Sequence, residues 1–136
     1  DRDGFYHTGD LGRFTPDGML YFEGRRGEMI KTGGANVTPS EVESVLAGLP
    51  EVREAFVVGV ADARRGEAVA AVVVPEAGAV LEADAVRAHA RAQLAAYKVP
   101  RHLVVAAHDE LPFTATGKID KRRLREWLEE RLAAGA

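Results

Sequence analysis

The sequence predicts an α+β fold: a small sheet flanked by about three helices and preceded by a β-hairpin. Three observations carry that expectation. Residues 55–60 and 68–74 are nearly continuous Val-rich runs, the pattern of strands buried on two sides or central in a sheet. Helical spacing of apolar residues occurs in three separate segments. Strands and helices are mixed without a regular βαβ alternation. The 136 residues suit one domain with an appended piece, and a hydrophobic content of 46% is enough for a core.

Taken in order, residues 12–24 read as a hairpin. Arg13-Phe14 leads into the turn signal Thr15-Pro16-Asp17-Gly18, and Met19-Leu20-Tyr21-Phe22 returns. An arginine-rich turn follows, then a short apolar strand at Met29-Ile30 and a glycine loop, Thr32-Gly33-Gly34-Ala35-Asn36. A helix enters at Thr38 with the pattern of a capping box. Thr38 can accept from the amide of Glu41, and Glu41 can reach back to the amide of Thr38. Pro39 takes the first helical position, where its missing N–H costs nothing. Val42, Val45, Leu46 and Leu49 make one apolar face, ended by Gly48 and Pro50.

The two Val-rich strands are joined by the polar turn 61–67, which makes them antiparallel neighbours. Residues 82–97 read as a helix with acids at its positive end, Glu82 and Asp84, and a stripe of Val86, Ala90, Leu94 and Tyr97. Pro100 stops it. Residues 103–107 are a further short strand. The last helix takes Asp120 as N-cap and buries Leu124, Trp127, Leu128 and Leu132.

Composition excludes several function classes. A net charge of −3 argues against a general nucleic-acid binder. No apolar run approaches ~18 residues, so no membrane span is expected. With no Cys there are no disulfides, thiolate zinc sites or Cys nucleophiles. The four histidines, His7, His89, His102 and His108, lack metal spacing, and structural or solvent-facing roles are expected for them; no metal site is predicted. No cationic leader with an apolar run is visible, and a cytoplasmic location is the expectation. The chain lacks an initiator Met and opens inside a motif, so it is expected to be a C-terminal fragment of a longer protein.

Each candidate residue has a plain reading of its own. Lys118 ends the polar loop Thr114-Ala115-Thr116-Gly117 and can be a solvated turn lysine. A P-loop is excluded, because Pro112 and Ile119 stand where Gly and Ser or Thr are needed. A free lysine, with a pKa of about 10.4, suits the stabilisation of negative charge on phosphate and carboxylate oxygens. Asp10 can tighten the Gly9 turn, and a carboxylate also offers two acceptors to a cis-diol. Arg25-Arg26 can be a surface pair. The glycine loop can be a hairpin that needs positive φ at Gly33 or Gly34. Lys121, Arg122, Arg123 and Arg125 crowd the start of the last helix, where a solvated face is expected ahead of a phosphate contact.

Three stretches, in order over almost the whole chain, resemble motifs of the adenylate-forming superfamily of acyl-CoA synthetases, peptide-synthetase adenylation domains and firefly luciferase. Tyr6-His7-Thr8-Gly9-Asp10-Leu11 is similar to Y-x-T-G-D. Residues 24–43, GRRGEMIKTGGANVTPSEVE, resemble the hinge motif. Leu111-Pro112-Phe113-Thr114-Ala115-Thr116-Gly117-Lys118-Ile119-Asp120-Lys121 resembles P-x-x-x-x-G-K. The resemblance implies the family's mobile C-terminal lid at 27–136, preceded at 1–26 by the tail of a large N-terminal domain. It implies a hinge at Gly27, where the family usually has Asp or Lys. Glycine keeps the φ/ψ freedom of a hinge but loses any side-chain contact that poises one conformer.

By the same resemblance Lys118 bridges the acyl carboxylate and the α-phosphate during adenylation. Asp10 accepts the ribose hydroxyls of ATP, and Arg25 also contacts the ribose. Gly33, Gly34 and Asn36 belong to the loop that leaves a slot for the pantetheine arm of CoA. Lys31 matches a lysine that serves the second half-reaction in luciferase-like members. The implied activity is that of an acid:CoA ligase using ATP, Mg2+ and CoA, nearer to fatty-acyl and aryl CoA ligases than to peptide synthetases. Its partners are the large domain of the same chain and a small carboxylic acid, and the fragment alone is expected to be inactive. Two alternatives stand beside it: a peptide-synthetase-type lid that docks a carrier protein, and a non-catalytic α+β module.

Overall fold

The structure, a computed structural model, describes residues 10–14, 20–25 and 29–135. The hairpin is present as β1 (Asp10–Phe14) and β2 (Leu20–Arg25), antiparallel, with a register shift between Leu11 and Gly12. It forms a two-stranded sheet of its own. The turn residues 15–19 and the proposed hinge Gly27 lie outside the described residues, as do Tyr6, His7, Thr8 and Gly9.

A second, five-stranded sheet follows. Its elements are β3 (Ile30–Thr32), β4 (Ala35–Val37), β5 (Val52–Asp62), β6 (Gly66–Pro75) and β7 (His102–Val105). The order is β4-β3-β6-β5, and β7 also pairs with β6. β5 and β6 are antiparallel along their whole length, from Val52 opposite Pro75 to Asp62 opposite Gly66. Both run beyond the apolar stretches that announce them, so the connecting turn shrinks to three residues. β7 is parallel to β6, with His102 opposite Ala70.

Three helices cover the sheet: α1 (Pro39–Leu46), α2 (Ala83–Gln93) and α3 (Lys121–Gly135). The strict alternation of a strand divides β6 between two cores. Val69, Ala71 and Val73 face Val42 and Leu46 of α1 and Val86 and Ala90 of α2. Ala68, Ala70, Val72 and Val74 face Leu124 and Leu128 of α3. This two-sided burial is why the strands are apolar without alternation. Trp127 and Leu132 pack at the border of the α3 core, and Asp120 caps α3 by accepting from the Arg123 amide at 3.2 Å.

Two expectations fail. Pro39 does open α1, but Thr38 makes no side-chain cap. Its hydroxyl lies 3.7 Å from the Met29 sulfur, and the Glu41 carboxylate is drawn away to Lys98 Nζ at 3.0 Å. The amide of Glu41 is satisfied instead by the Thr38 carbonyl at 3.2 Å. The Lys98–Glu41 hydrogen bond also holds the Lys98 ammonium above its ordinary pKa. The helix expected over 82–97 ends at Gln93. Leu94 turns extended (φ −120°, ψ 150°) and packs on the α1–α2 core, and Ala96–Lys98 form a single 3-10 turn. Tyr97 leaves the stripe and is 50% exposed.

Candidate functional site

Lys118 stands on a small hairpin between the strand region and α3. Phe113 and Ile119 bridge at its base. The Thr114 amide donates to the Lys118 carbonyl at 2.7 Å, and the Gly117 amide to the Thr114 carbonyl at 2.9 Å. The Thr114 hydroxyl accepts from the Lys118 amide at 3.3 Å and lies 3.0 Å from the Thr116 hydroxyl. Gly117 has φ +84°, a conformation that excludes a Cβ at little cost only for glycine. The loop is therefore a tight, internally bonded turn. Lys118 is exposed, and among the described residues it has no ion-pair partner.

The glycine loop is the two-residue turn joining β3 and β4. Gly33 (φ +58°) and Gly34 (φ +84°) both take positive φ, the type I′ geometry that matches strand twist. A Cβ built at either glycine would meet no atom of the described residues within 4 Å beyond its chain neighbours, so among them the surface beside the turn is open. Lys31 and Asn36 are cross-strand partners below the turn, and both are exposed. The fold thus gathers Lys31, Gly33, Gly34 and Asn36 on one hairpin. Two bonds fix that hairpin to the sheet: Gly33 amide to Arg65 carbonyl at 3.0 Å, and Lys31 amide to Glu67 Oε1 at 3.0 Å.

The two loops are anchored apart. Ile30 and Val37, at the base of the glycine hairpin, belong to the α1–α2 core. Phe113 and Ile119, at the base of the Lys118 turn, belong to the α3 core on the other face of the sheet. Asp10 and Arg25 are brought together on the separate hairpin, where the β1–β2 register sets them directly opposite each other.

β3 pairs with β6 only at Gly66, and β7 begins pairing at Ala70. The interval leaves a notch of about 1060 Å³ beside Gly33, lined by Arg65, Arg87, Arg91 and Arg101. Their guanidinium groups outnumber the carboxylates that meet them. Asp62 lies 3.7 Å from Arg65 and 3.8 Å from Arg101, and Asp84 lies 3.4 Å from Arg87. The amides of Arg65 and Arg64, both donating to Asp62, hold its carboxyl below the ordinary range. No motif could announce this notch, because its arginines come from a turn, a helix and a strand entry.

The basic cluster of α3 is neither a solvated face nor open to a phosphate at Lys121 and Arg125. Lys121 Nζ lies 2.6 Å from Glu43 Oε2 and donates to the Val57 carbonyl at 2.8 Å. Arg125 donates to Glu67 Oε2 at 2.8 Å. Each histidine within the described residues has protein groups close by. His89 Nε2 is 2.9 Å from the Val45 carbonyl, and His108 Nδ1 is 2.6 Å from Glu54 Oε1. His102 is pushed down from its ordinary pKa by burial, helped by Arg101. Among the described residues no three His, Asp or Glu side chains form a group able to hold a metal, and no helix is long and apolar enough to cross a membrane.

A family model described as AMP-binding enzyme C-terminal domain matches residues 41–118. Indoleacetate–CoA ligase of Aromatoleum aromaticum is 43% identical over 125 residues, covering 92% of this chain and 24% of the relative. Salicylyl-CoA synthase / salicylate adenylyltransferase of a Streptomyces species is 47% identical, covering 91% and 22%. ATP-bound MatB from Rhodopseudomonas palustris superposes with a TM-score of 0.80 at 37% identity, over 93% of this chain and 26% of that one. The amide bond synthetase McbA from Marinactinospora thermotolerans gives 0.79 at 40% identity, over 89% and 24%. The chain spans about a quarter of the length of the curated relatives it matches.

Proposed function

Since the chain belongs to the family of AMP-binding enzyme C-terminal domains, we propose that it is the lid of an AMP-forming acid:CoA ligase, acting on a fatty or aryl carboxylic acid in the cytoplasm. The observation that carries this reading is the anchoring of the Lys118 turn and the glycine hairpin in cores on opposite faces of one sheet. One orientation of such a lid presents Lys118 to a reacting carboxyl, and another presents Gly33 and Gly34. The domain boundary falls near Gly27, and rotation takes place there.

In the first half-reaction a carboxylate oxygen attacks the α-phosphorus of ATP. The bond to the β,γ-diphosphate breaks and pyrophosphate leaves. Lys118, held by its bonded turn, stabilises the negative charge that builds on the carboxylate and α-phosphate oxygens. Asp10 and Arg25 hold the ribose from the hairpin ahead of the lid. Bound with ATP as part of the substrate, Mg2+ would supply neutralisation of phosphate charge.

In the second half-reaction the CoA sulfur attacks the acyl carbon. AMP leaves with the former carboxylate oxygen, and the thiol proton passes to solvent. The pantetheine arm lies along the open face of the glycine turn, with Asn36 and Lys31 beside it. The arginine-lined notch next to Gly33 is placed and charged to receive the phosphates at the other end of CoA.

The test is made on the full-length ligase with the half-reactions measured apart. Lys118→Ala should slow adenylate formation by about 10²–10³-fold, the usual loss for a charge-stabilising group. Thioester formation from preformed acyl-adenylate should persist. The isolated chain should release no pyrophosphate. Loss of both steps together, or turnover by the isolated chain, overturns the reading. Transfer to a carrier-bound pantetheine, or to an amine, in place of free CoA would replace the acceptor.

A further inference from the structure

Phe113 is the root of the Lys118 turn, because its bridge to Ile119 closes the loop that carries the lysine. Its ring is held from two sides. Phe56 of β5 meets it edge-on, with centroids 6.0 Å apart and planes at 77°. His108 stacks on it at 4.3 Å and 22°. The imidazole is itself fixed, since Nδ1 lies 2.6 Å from Glu54 Oε1 on β5. The short turn that carries His108 is fixed as well, by Glu110 Oε2 accepting the Ala107 amide at 2.8 Å. The base of the loop is closed by the Asp120 amide donating to the Pro112 carbonyl at 3.0 Å, and Ile119 packs beside Phe113 against the α3 core.

We propose that His108, oriented by Glu54, is a positioning residue for Lys118 in the adenylating half-reaction. The inference rests on the ligase reading. A lysine that stabilises developing charge must be held within a fraction of an ångström of its productive place. The four loop residues before Lys118 are exposed and bond mainly to one another, so they cannot set where the loop as a whole sits. The paired residues Phe113 and Ile119 at its base set it, and the His108–Glu54 pair holds the Phe113 ring on the side that Phe56 leaves open. A half-exposed stacked imidazole adds little to the core, which makes stability alone a weak reason for the arrangement.

The experiment uses the full-length ligase with four single variants, His108→Ala, Glu54→Ala, His108→Tyr and Lys118→Ala, and the double variant His108→Ala/Lys118→Ala. His108→Ala and Glu54→Ala should lower the kcat of pyrophosphate exchange about tenfold. Their KM for ATP and acid, and the thioester step from preformed acyl-adenylate, should stay within about twofold of wild type. His108→Tyr keeps a ring on Phe113 and should recover most of the lost rate. In the double variant His108→Ala/Lys118→Ala the histidine change should add nothing to the lysine change, because it acts through Lys118. Exchange at the wild-type rate in His108→Ala overturns the proposal, and so does full additivity in the double variant. Equal loss in both half-reactions with a lowered Tm overturns it in favour of a role in stability. If Lys118→Ala itself leaves exchange intact, the ligase reading fails first and this proposal falls with it.

Discussion

Lys121 and Glu43 form an ion pair that also satisfies a backbone unit. Glu43 Oε2 accepts the Val57 amide at 2.9 Å, and Lys121 Nζ, 2.6 Å from the same oxygen, donates to the Val57 carbonyl at 2.8 Å. Two helices, α1 and α3, thereby close on one residue of β5. The partners are unequal. Glu43→Ala removes the acceptor of the Val57 amide and leaves the part-buried ammonium with a neutral carbonyl and no counter-charge, whereas Lys121→Met removes the donor to the Val57 carbonyl but leaves the carboxylate bonded to the Val57 amide. Glu43→Ala should cost about 2 kcal/mol and Lys121→Met about half that. Thermal unfolding of the two variants checks the order, and an equal or reversed loss would refute it.

The glycine turn separates backbone strain from ligand contact. Gly33 at φ +58° suits Asn, which visits that region readily. Gly33→Asn should leave Tm nearly unchanged. Gly34→Leu places a branched side chain at φ +84° and should lower stability by about 1–2 kcal/mol. It should also block thioester formation while sparing pyrophosphate exchange. CoA consumption by folded Gly34→Leu enzyme at the wild-type rate would remove the pantetheine assignment.

Asp10 and Arg25 are register partners, so a ligand held by one is within the neighbourhood of the other. In the full-length ligase Asp10→Ala should weaken ATP binding by about 2 kcal/mol, near thirtyfold. The loss should be felt in both half-reactions, since the ribose stays bound through both. Calorimetric titration with ATP measures it, and unchanged affinity returns Asp10 to a turn-tightening role.

His102 supplies a pH dependence of known sign. Its pKa is lowered on folding by burial, from an ordinary 6.5, so the unfolded chain takes up a proton that the folded chain resists. The stability tied to its neutral form is fully present above about 6.5 and is lost as pH falls from there through the lowered value. His102→Phe should flatten this limb. Denaturant unfolding at pH 7.5 and 5 checks it: the same loss in the variant would assign the limb to another group.

Periodicity made most of the fold legible. The uninterrupted Val runs of β5 and β6 can be satisfied only between two layers, and α1 and α3 follow from their apolar faces. The second helix misled because Leu94 continues the stripe in sequence while its backbone is extended. The Thr38–Glu41 capping box misled because a distant cation, Lys98, competes for the carboxylate. Both failures are tertiary contacts overriding a local pattern. In the candidate site, short motifs pointed to Lys118 and to the glycine turn, each of which lies in one contiguous stretch of sequence. The notch arginines and the Glu54–His108–Phe113 group are assembled from distant segments, so no spacing rule reaches them.

β5 ends the strand order of the main sheet, and its outer side is a long run of backbone donors and acceptors next to valines. Side chains occupy that side at intervals. Glu43 and Lys121 take both groups of Val57, and Glu129 of α3 takes the Ala61 amide at 2.9 Å. A foreign strand would have to displace charged partners before it could add to the sheet. On the proposed ligase reading, a lid that swings as one body would bare this margin to other chains on every cycle, and the carboxylates and the lysine would let it do so without seeding aggregation.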